Sequence, residues 1–260
     1  MALTIATWNI NSVRLRADLV TRLLAERGPD VLCLQECKSP VEKLPDFAEA
    51  GYRWCVARGQ KGYNGVAILS RLPIEDAGQV EVCSRGDARH VAARLENGVV
   101  VHNLYVPAGG DVPDPDLNPK FAHKLDFVAR MQDWFRANTP RRSILVGDLN
   151  IAPREDDVWS HRQLLKVVSH TPVETEALLD AQGVGGWTDV TRTHHPEGPL
   201  FSWWSYRSPN WEKADRGRRL DHVWASSDIA AAAVESHVLK DARRWERPSD
   251  HVPVFATFDL

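Results

Sequence analysis

Asp148 and Asn150 stand two positions apart at the end of the apolar run Ser143-Ile144-Leu145-Val146-Gly147. In extended backbone, alternate side chains point the same way, so both project from one strand end. A carboxylate and a carboxamide facing one cavity suit the orientation of water or phosphate near a divalent cation. Taken alone, the pair is more often a turn than a catalytic site, because Asp and Asn hydrogen-bond their own backbone at strand ends. Other segments repeat the pattern: Asn9 and Asn11 follow the first apolar run, Glu36 ends the second, Asp221 lies in Leu220-Asp221-His222, and Asp250-His251 opens the last. Four carboxylates gathered at one edge (Glu36, Asp148, Asp221, Asp250) repel unless a cation or proton compensates. Oxygen donors with water suit Mg²⁺, or Mn²⁺ in its place, rather than zinc. An Asp221–His251 hydrogen bond would fix the ring tautomer and favour the imidazolium. That cation can stabilise a phosphorane or protonate a leaving group. Tyr105 adds a phenol that can reach a phosphate or simply sit at an apolar–water boundary.

Residues 3–8 alternate as a strand, Val13, Leu19, Val20, Leu23 and Leu24 form a helical stripe closed by Gly28-Pro29, and residues 30–36 read as a buried strand. Strand, helix and strand at this spacing predict a parallel crossover that opens Asn9, Asn11 and Glu36 on one edge. Runs at 52–56, 65–70, 89–94 and 99–105 predict an antiparallel meander, with Asn97-Gly98 as its hairpin turn. A helix over about 120–137 leads to the strand at 143–147; helices are expected near 161–169 and 173–182, then a strand over 219–225. Uninterrupted mixing of strands and helices predicts one α/β domain over residues 1–260.

At 260 residues, 43% hydrophobic and 26% charged, the chain has ample material for a core. Its net charge of −3 gives no global field for nucleic acid, so such binding needs a local patch. Cys33, Cys37, Cys55 and Cys83 lack paired C-x-x-C spacing and read as reduced packing residues. With no membrane-length apolar run and no basic, apolar leader, a cytoplasmic protein without a membrane partner is expected. Monomeric behaviour is the expectation for its assembly.

In order, Trp8-Asn9-Ile10-Asn11, Leu34-Gln35-Glu36, Gly65-Val66-Ala67, Tyr105-Val106-Pro107, Gly147-Asp148-Leu149-Asn150, Arg219-Leu220-Asp221 and Ser249-Asp250-His251 span nearly the whole chain. No single piece is decisive, but the ordered set resembles the exonuclease III family of apurinic/apyrimidinic endonucleases, within the endonuclease–exonuclease–phosphatase superfamily. The resemblance implies a four-layered α/β sandwich, two mixed sheets face to face with helices outside. It implies Glu36 as principal metal ligand, supported by Asn9, Asn11 and Asp250, with Asp148, Asn150 and His251 at the same centre. Asp148 would orient or deprotonate the attacking water, Asn150 would hold phosphate or water, and His251 with Asp221, and Tyr105, would contact the scissile phosphate. Trp203 and Leu220 would wall a slot for a flipped-out baseless sugar. Lys120, Lys124, Arg207, Arg218 and neighbouring arginines would grip DNA phosphates.

Four positions depart from the family pattern: Ala108 where an amide is frequent, Arg218 where an apolar pocket residue is frequent, Cys37 for Thr, and Ser12 for Gly. The expected activity is Mg²⁺-dependent cleavage on the 5′ side of abasic sites in duplex DNA, with 3′→5′ exonuclease activity and release of blocked 3′ ends. One alternative keeps the centre but takes a phosphoinositide, sphingomyelin or nucleotide phosphate. Another is a catalytically silent DNA-binding module, which predicts erosion of Glu36, Asp148 or His251; all three are present.

Overall fold

A computed structural model describes residues 2–208 and 210–260. The chain opens with β1 (Ala2–Asn9), α1 (Ala17–Arg27) and β2 (Val31–Gln35). Next come β3 (Trp54–Arg58), β4 (Val66–Ser70), β5 (Ile74–Gly78), β6 (His90–Leu95) and β7 (Val100–Tyr105). The long helix α2 (Pro119–Ala137) leads to β8 (Ser143–Asp148), α3 (His161–Leu164), α4 (Pro172–Val184), β9 (Trp187–Asp189) and α5 (Val190–His194). The last part holds β10 (Trp203–Trp204), α6 (Trp211–Ala214), β11 (Gly217–Arg218), β12 (Asp221–Ser226), β13 (Ala233–Val238) and β14 (Val254–Asp259).

Two six-stranded sheets result, ordered β13-β14-β1-β2-β4-β3 and β5-β6-β7-β8-β12-β9, with β10 and β11 as a small separate ribbon. Both are mixed: β1 pairs parallel with β2, β7 pairs parallel with β8, and the other neighbours are antiparallel. Strand alternation explains the layering. Ile5, Val31, Cys33 and Ile68 of the first sheet share one core with Val101, Ile144, Val146 and Val223 of the second. The opposite faces carry Trp8, Leu32 and Leu34 against Val20, Leu23 and Leu24 of α1, and Leu104, Leu145 and Trp224 against α2 and α4. Burying each such side chain contributes about 1.5–3 kcal/mol. The four-layered sandwich stands.

The expected crossover is present, although Val13 is buried ahead of α1 rather than in it. The meander is real in its pairings but divided: β3 and β4 belong to the first sheet, β5 to β7 to the second. The helix expected near 161–169 stops at Leu164, and turns follow. β5 and β13, which lacked strong apolar alternation, are edge strands at the ends of the two sheets. Among the described residues, no helix is long and apolar enough to cross a membrane.

Candidate active site

The two parallel pairs set the edge on which the polar residues meet. Asn9 lies opposite Gln35 in β1–β2, so Glu36 emerges just beyond. Tyr105 lies opposite Asp148 in β7–β8, and Asp148 lies opposite Asp221 in β8–β12. Gly147 permits this approach: at φ 147°, a Cβ there would lie 1.9 Å from Leu104 O. Three strand ends then turn through left-handed residues, Asn11 (φ 48°), Glu36 (φ 50°) and Asn150 (φ 53°). Such backbone is uncommon outside glycine and clusters where function over-determines it.

Hydrogen bonds lock the carboxylates. Asn9 Nδ2 donates to Glu36 Oε1 at 2.9 Å and Asp148 Oδ2 at 2.8 Å. Asn150 donates its backbone N–H to Asp148 Oδ1 at 2.9 Å and its Nδ2 to Asp148 Oδ2 at 3.1 Å and Val106 O at 2.9 Å. Tyr105 Oη donates to Glu36 Oε1 at 2.8 Å. Asn11 Nδ2 donates to Asp250 Oδ1 at 3.1 Å, and Trp203 Nε1 to Asp250 Oδ2 at 3.0 Å. His251 is fixed by Asp221, with Nδ1 2.8 Å from Asp221 Oδ2, while Nε2 lies 3.7 Å from Asp148 Oδ2. Ser202 Oγ accepts from the Leu220 and Asp221 N–H groups, each at 3.0 Å, and so pins the start of β12.

Electrostatics divides the labour. Burial raises the Asp148 carboxyl, and Asp221 adds to that, against the pull of His251 and the Asn9 hydrogen bond; its net pKa is up. Burial alone would lower the His251 ring, but Asp221 and Asp148 overcome it and raise its pKa to about 10. In the metal-free protein this favours the imidazolium, a form able to donate to phosphate. Burial also opposes ionisation of Glu36 and Asp250, yet both carboxyls end below the usual range. Lys38, Asn9 and Tyr105 act on Glu36; His251, Trp203 and Asn11 act on Asp250. Burial, Glu36 and Asp148 hold the Tyr105 phenol well above its usual value, so it remains a hydrogen-bond donor.

Lys38 marks where a cation is welcome. Its Nζ lies 2.8 Å from Glu36 Oε2 and 2.5 Å from Asn11 Oδ1. These are hard oxygens, and with Asp250 beside Asn11 the donor set fits a divalent cation of the Mg²⁺ type. Asn9 Oδ1 accepts the Asn11 N–H at 3.1 Å while its Nδ2 separates two carboxylates. Asn150 spends its Nδ2 on Asp148 and Val106. Asp148, Asp221 and His251 also converge closely enough for a cation.

The expected DNA contacts fare unevenly. Lys124 is a correction: fully buried, its Nζ lies 2.5 Å from Glu174 Oε1 and 2.8 Å from Asn150 O, so it braces the Asn150 loop from within. Arg219 is also buried, paired with Asp157 and Asp189. Lys120 is exposed and lines a cavity of about 580 Å³ with Tyr105, Arg85 and Arg89. Arg207 is exposed at a turn. Trp204 is core and Trp203 half-buried, whereas Leu220 is buried with Ala152, Val158 and Leu164. Arg218 Nη1 donates to Val168 O at 2.9 Å and Ser169 Oγ at 2.7 Å, with the guanidinium over the Trp203 ring. Sequence reasoning missed Lys38, two residues after Glu36, and Arg89, whose guanidinium stacks on Tyr105 at 4.8 Å. It also missed Ser202, for which a lone serine gave no signal. Of the cysteines, Cys55 is exposed and Cys83 half-buried, so they are not all packing residues.

The profile of the Endonuclease/Exonuclease/phosphatase family matches residues 6–251. The chain is similar to exodeoxyribonuclease III of Haemophilus influenzae, 29% identical, with 97% of this chain and 98% of that protein covered. Among solved structures, an AP endonuclease from Archaeoglobus fulgidus superposes with a TM-score of 0.92 at 32% identity, covering 99% of this chain and 100% of that one. The 3′ phosphatase NExo from Neisseria, solved with a product DNA hairpin, superposes with a TM-score of 0.90 at 35% identity and the same coverage.

Proposed function

The chain belongs to the endonuclease/exonuclease/phosphatase family, as a nuclease of the exonuclease III and AP endonuclease type, and we propose that it is a Mg²⁺-dependent DNA-repair enzyme. In this reading it hydrolyses the phosphodiester 5′ to abasic sites in duplex DNA and removes nucleotides, phosphates and other blocks from 3′ ends. The observation that carries the proposal is the meeting of Asp148, the Asp221–His251 pair and Glu36 where strand ends of the two sheets come together.

Glu36, Asn11 and Asp250 would hold the metal, which when bound neutralises charge gathering on the phosphate. Asp148, held by Asn9 and Asn150, orients the attacking water and takes its proton; the raised affinity of its carboxyl for a proton suits that task. The His251 imidazolium, fixed by Asp221, donates to a phosphate oxygen as negative charge builds. Tyr105 stays protonated and orients Glu36, with its hydroxyl beside the phosphate path. Lys120, Arg85 and Arg89 supply the local positive surface that the net charge does not.

A specific observation favours a second weighting, in which work on 3′ ends predominates over incision at abasic sites. Arg218 reaches from Trp203, one of the two residues expected to hold a baseless sugar, to Val168 and Ser169. Duplex DNA carrying one abasic analogue, assayed beside a duplex with a 3′-terminal phosphate, with Mg²⁺ and with chelator, tests both. Metal-dependent cleavage of either substrate supports the nuclease reading, and their ratio ranks the activities. Absence of cleavage on both, with turnover of a lipid or free-nucleotide phosphoester, overturns it.

A further inference from the structure

Outside this centre, three side chains of different chemistry converge on one point. Cys83 Sγ, a carboxylate oxygen of Asp87 and a ring nitrogen of His123 all lie within 4.8 Å of one another. Cys83 and Asp87 come from the loop between β5 and β6, whereas His123 is buried in the second turn of α2. The Cys83 Sγ to His123 Nε2 distance is 3.4 Å. In a tetrahedral zinc site with bonds of about 2.3 Å to sulfur and about 2.0 Å to nitrogen, the sulfur–nitrogen edge is roughly 3.5 Å. We propose that Cys83, Asp87 and His123 form a second metal site, taking zinc or a divalent cation of similar softness and distinct from the oxygen-lined centre at Glu36.

The surroundings support three protein ligands and an open position. Cys83 and Asp87 line a cavity of about 630 Å³, and Asp87 and His123 line the cavity of about 580 Å³ beside Tyr105, so each of the three residues lies beside space open to solvent. Water can therefore complete the coordination. The carboxylate is oriented from behind: Gln60 Nε2 donates to Asp87 Oδ1 at 3.0 Å and Arg89 Nε to Asp87 Oδ2 at 3.2 Å. Each carboxylate oxygen retains a lone pair after one such bond, and outer hydrogen bonds of this kind are usual around metal ligands. A thiol–imidazole hydrogen bond accounts for the 3.4 Å contact, and Gln60 with Arg89 for the hold on the carboxylate, while the convergence of all three donors is what a metal would use. Arg89 also donates to Tyr105 O and stacks on that ring, which links the proposed site to the catalytic edge.

The test uses the full chain, stripped of metal under reducing conditions and saturated with Mg²⁺, then titrated with Co²⁺. The expected result is a thiolate-to-cobalt charge-transfer band with tetrahedral visible absorption, saturating near one equivalent and abolished by added zinc. Cys83→Ser should remove the band, and Gln60→Ala should weaken Co²⁺ binding about 10–100-fold while leaving the ligands intact. If Cys83→Ser fails to fold, Asp87→Asn serves in its place, with affinity falling at least about tenfold. The proposal is overturned if the wild-type chain gives no charge-transfer band, or if neither Cys83→Ser nor Asp87→Asn alters it.

Discussion

Asp221 stands directly opposite Asp148 in the register of β8 and β12, and the His251 ring bridges them, 2.8 Å from the first and 3.7 Å from the second. Two buried carboxylates so placed repel, and the imidazolium between them is what makes the arrangement tolerable. Asp148→Asn keeps the side-chain shape but cannot accept a proton from water, and its NH₂ replaces one of the two oxygens that accept from Asn9 and Asn150. Turnover should drop on the order of a thousandfold or more, while the lost acceptor should cost about 1–3 kcal/mol of stability. Single-turnover rates beside a melting curve check this. A rate within about tenfold of wild type removes Asp148 from the mechanism.

In the metal-free protein the His251 ring should stay protonated through neutral pH and titrate only toward about 10. Its folded pKa is raised, so its contribution to stability is complete below the ordinary value of about 6.5 and fades as pH climbs through the folded one. Asp221→Asn removes the largest of the three carboxylate influences, those of Asp221, Asp148 and Asp250, and should bring the midpoint down markedly, since burial then has less to oppose it. Imidazole NMR titration of both proteins gives the answer. An unchanged midpoint in Asp221→Asn contradicts the pairing.

Gly147 supports the same edge from the backbone. A methyl group there collides with the Leu104 carbonyl, and φ 147° is closed to other residues. Gly147→Ala should destabilise the protein by at least about 3 kcal/mol, because β7 and β8 must part. Urea unfolding measures it, and a loss under about 1 kcal/mol shows that the strands can shift.

The edge itself was legible because strand ends are marked by composition: apolar runs stop at Asn9, Glu36 and Asp148, and the last run starts after Asp250-His251, so parallel pairing of β1 with β2 and antiparallel pairing of β1 with β14 carry them to one side. Division of the meander between two sheets was not legible, since alternation says which face is apolar and nothing about which sheet a strand joins. Lys124 shows a second limit. A lysine on the first turns of an amphipathic helix reads as surface, and only the tertiary position of Glu174, fifty residues on, takes it inside. Arg219 misled in the same way, its partners Asp157 and Asp189 lying far away in sequence.

That contrast separates Lys120 from Lys124. Lys120→Ala should weaken DNA binding uniformly across sequences and lower the salt slope by about one. Glu174→Gln leaves the Lys124 ammonium buried without its counter-charge and should cost about 3–5 kcal/mol of stability while leaving the salt slope as it was. Fluorescence anisotropy over a range of salt, with unfolding curves, distinguishes the two. A reduced slope in Glu174→Gln returns Lys124 to the DNA surface.

Arg218 decides between the two weightings of activity. Its guanidinium crosses from the Trp203 ring to Val168 O and Ser169 Oγ, while its buried Nε has no partner. An unpartnered buried donor is costly, so the bridge is held by its other bonds and by the stacking. Arg218→Ala removes the side chain over the Trp203 ring without touching Glu36, Asp148 or His251. Incision at an abasic analogue should then rise relative to 3′-phosphate removal by about tenfold, equal to ~1.4 kcal/mol of differential transition-state binding. The ratio of kcat/KM on the two duplexes is the measurement, because a general loss of activity cancels in it. If the ratio stays constant, Arg218 does not gate the slot, and the preference between lesions must be set elsewhere, with Ala108 the next position to exchange.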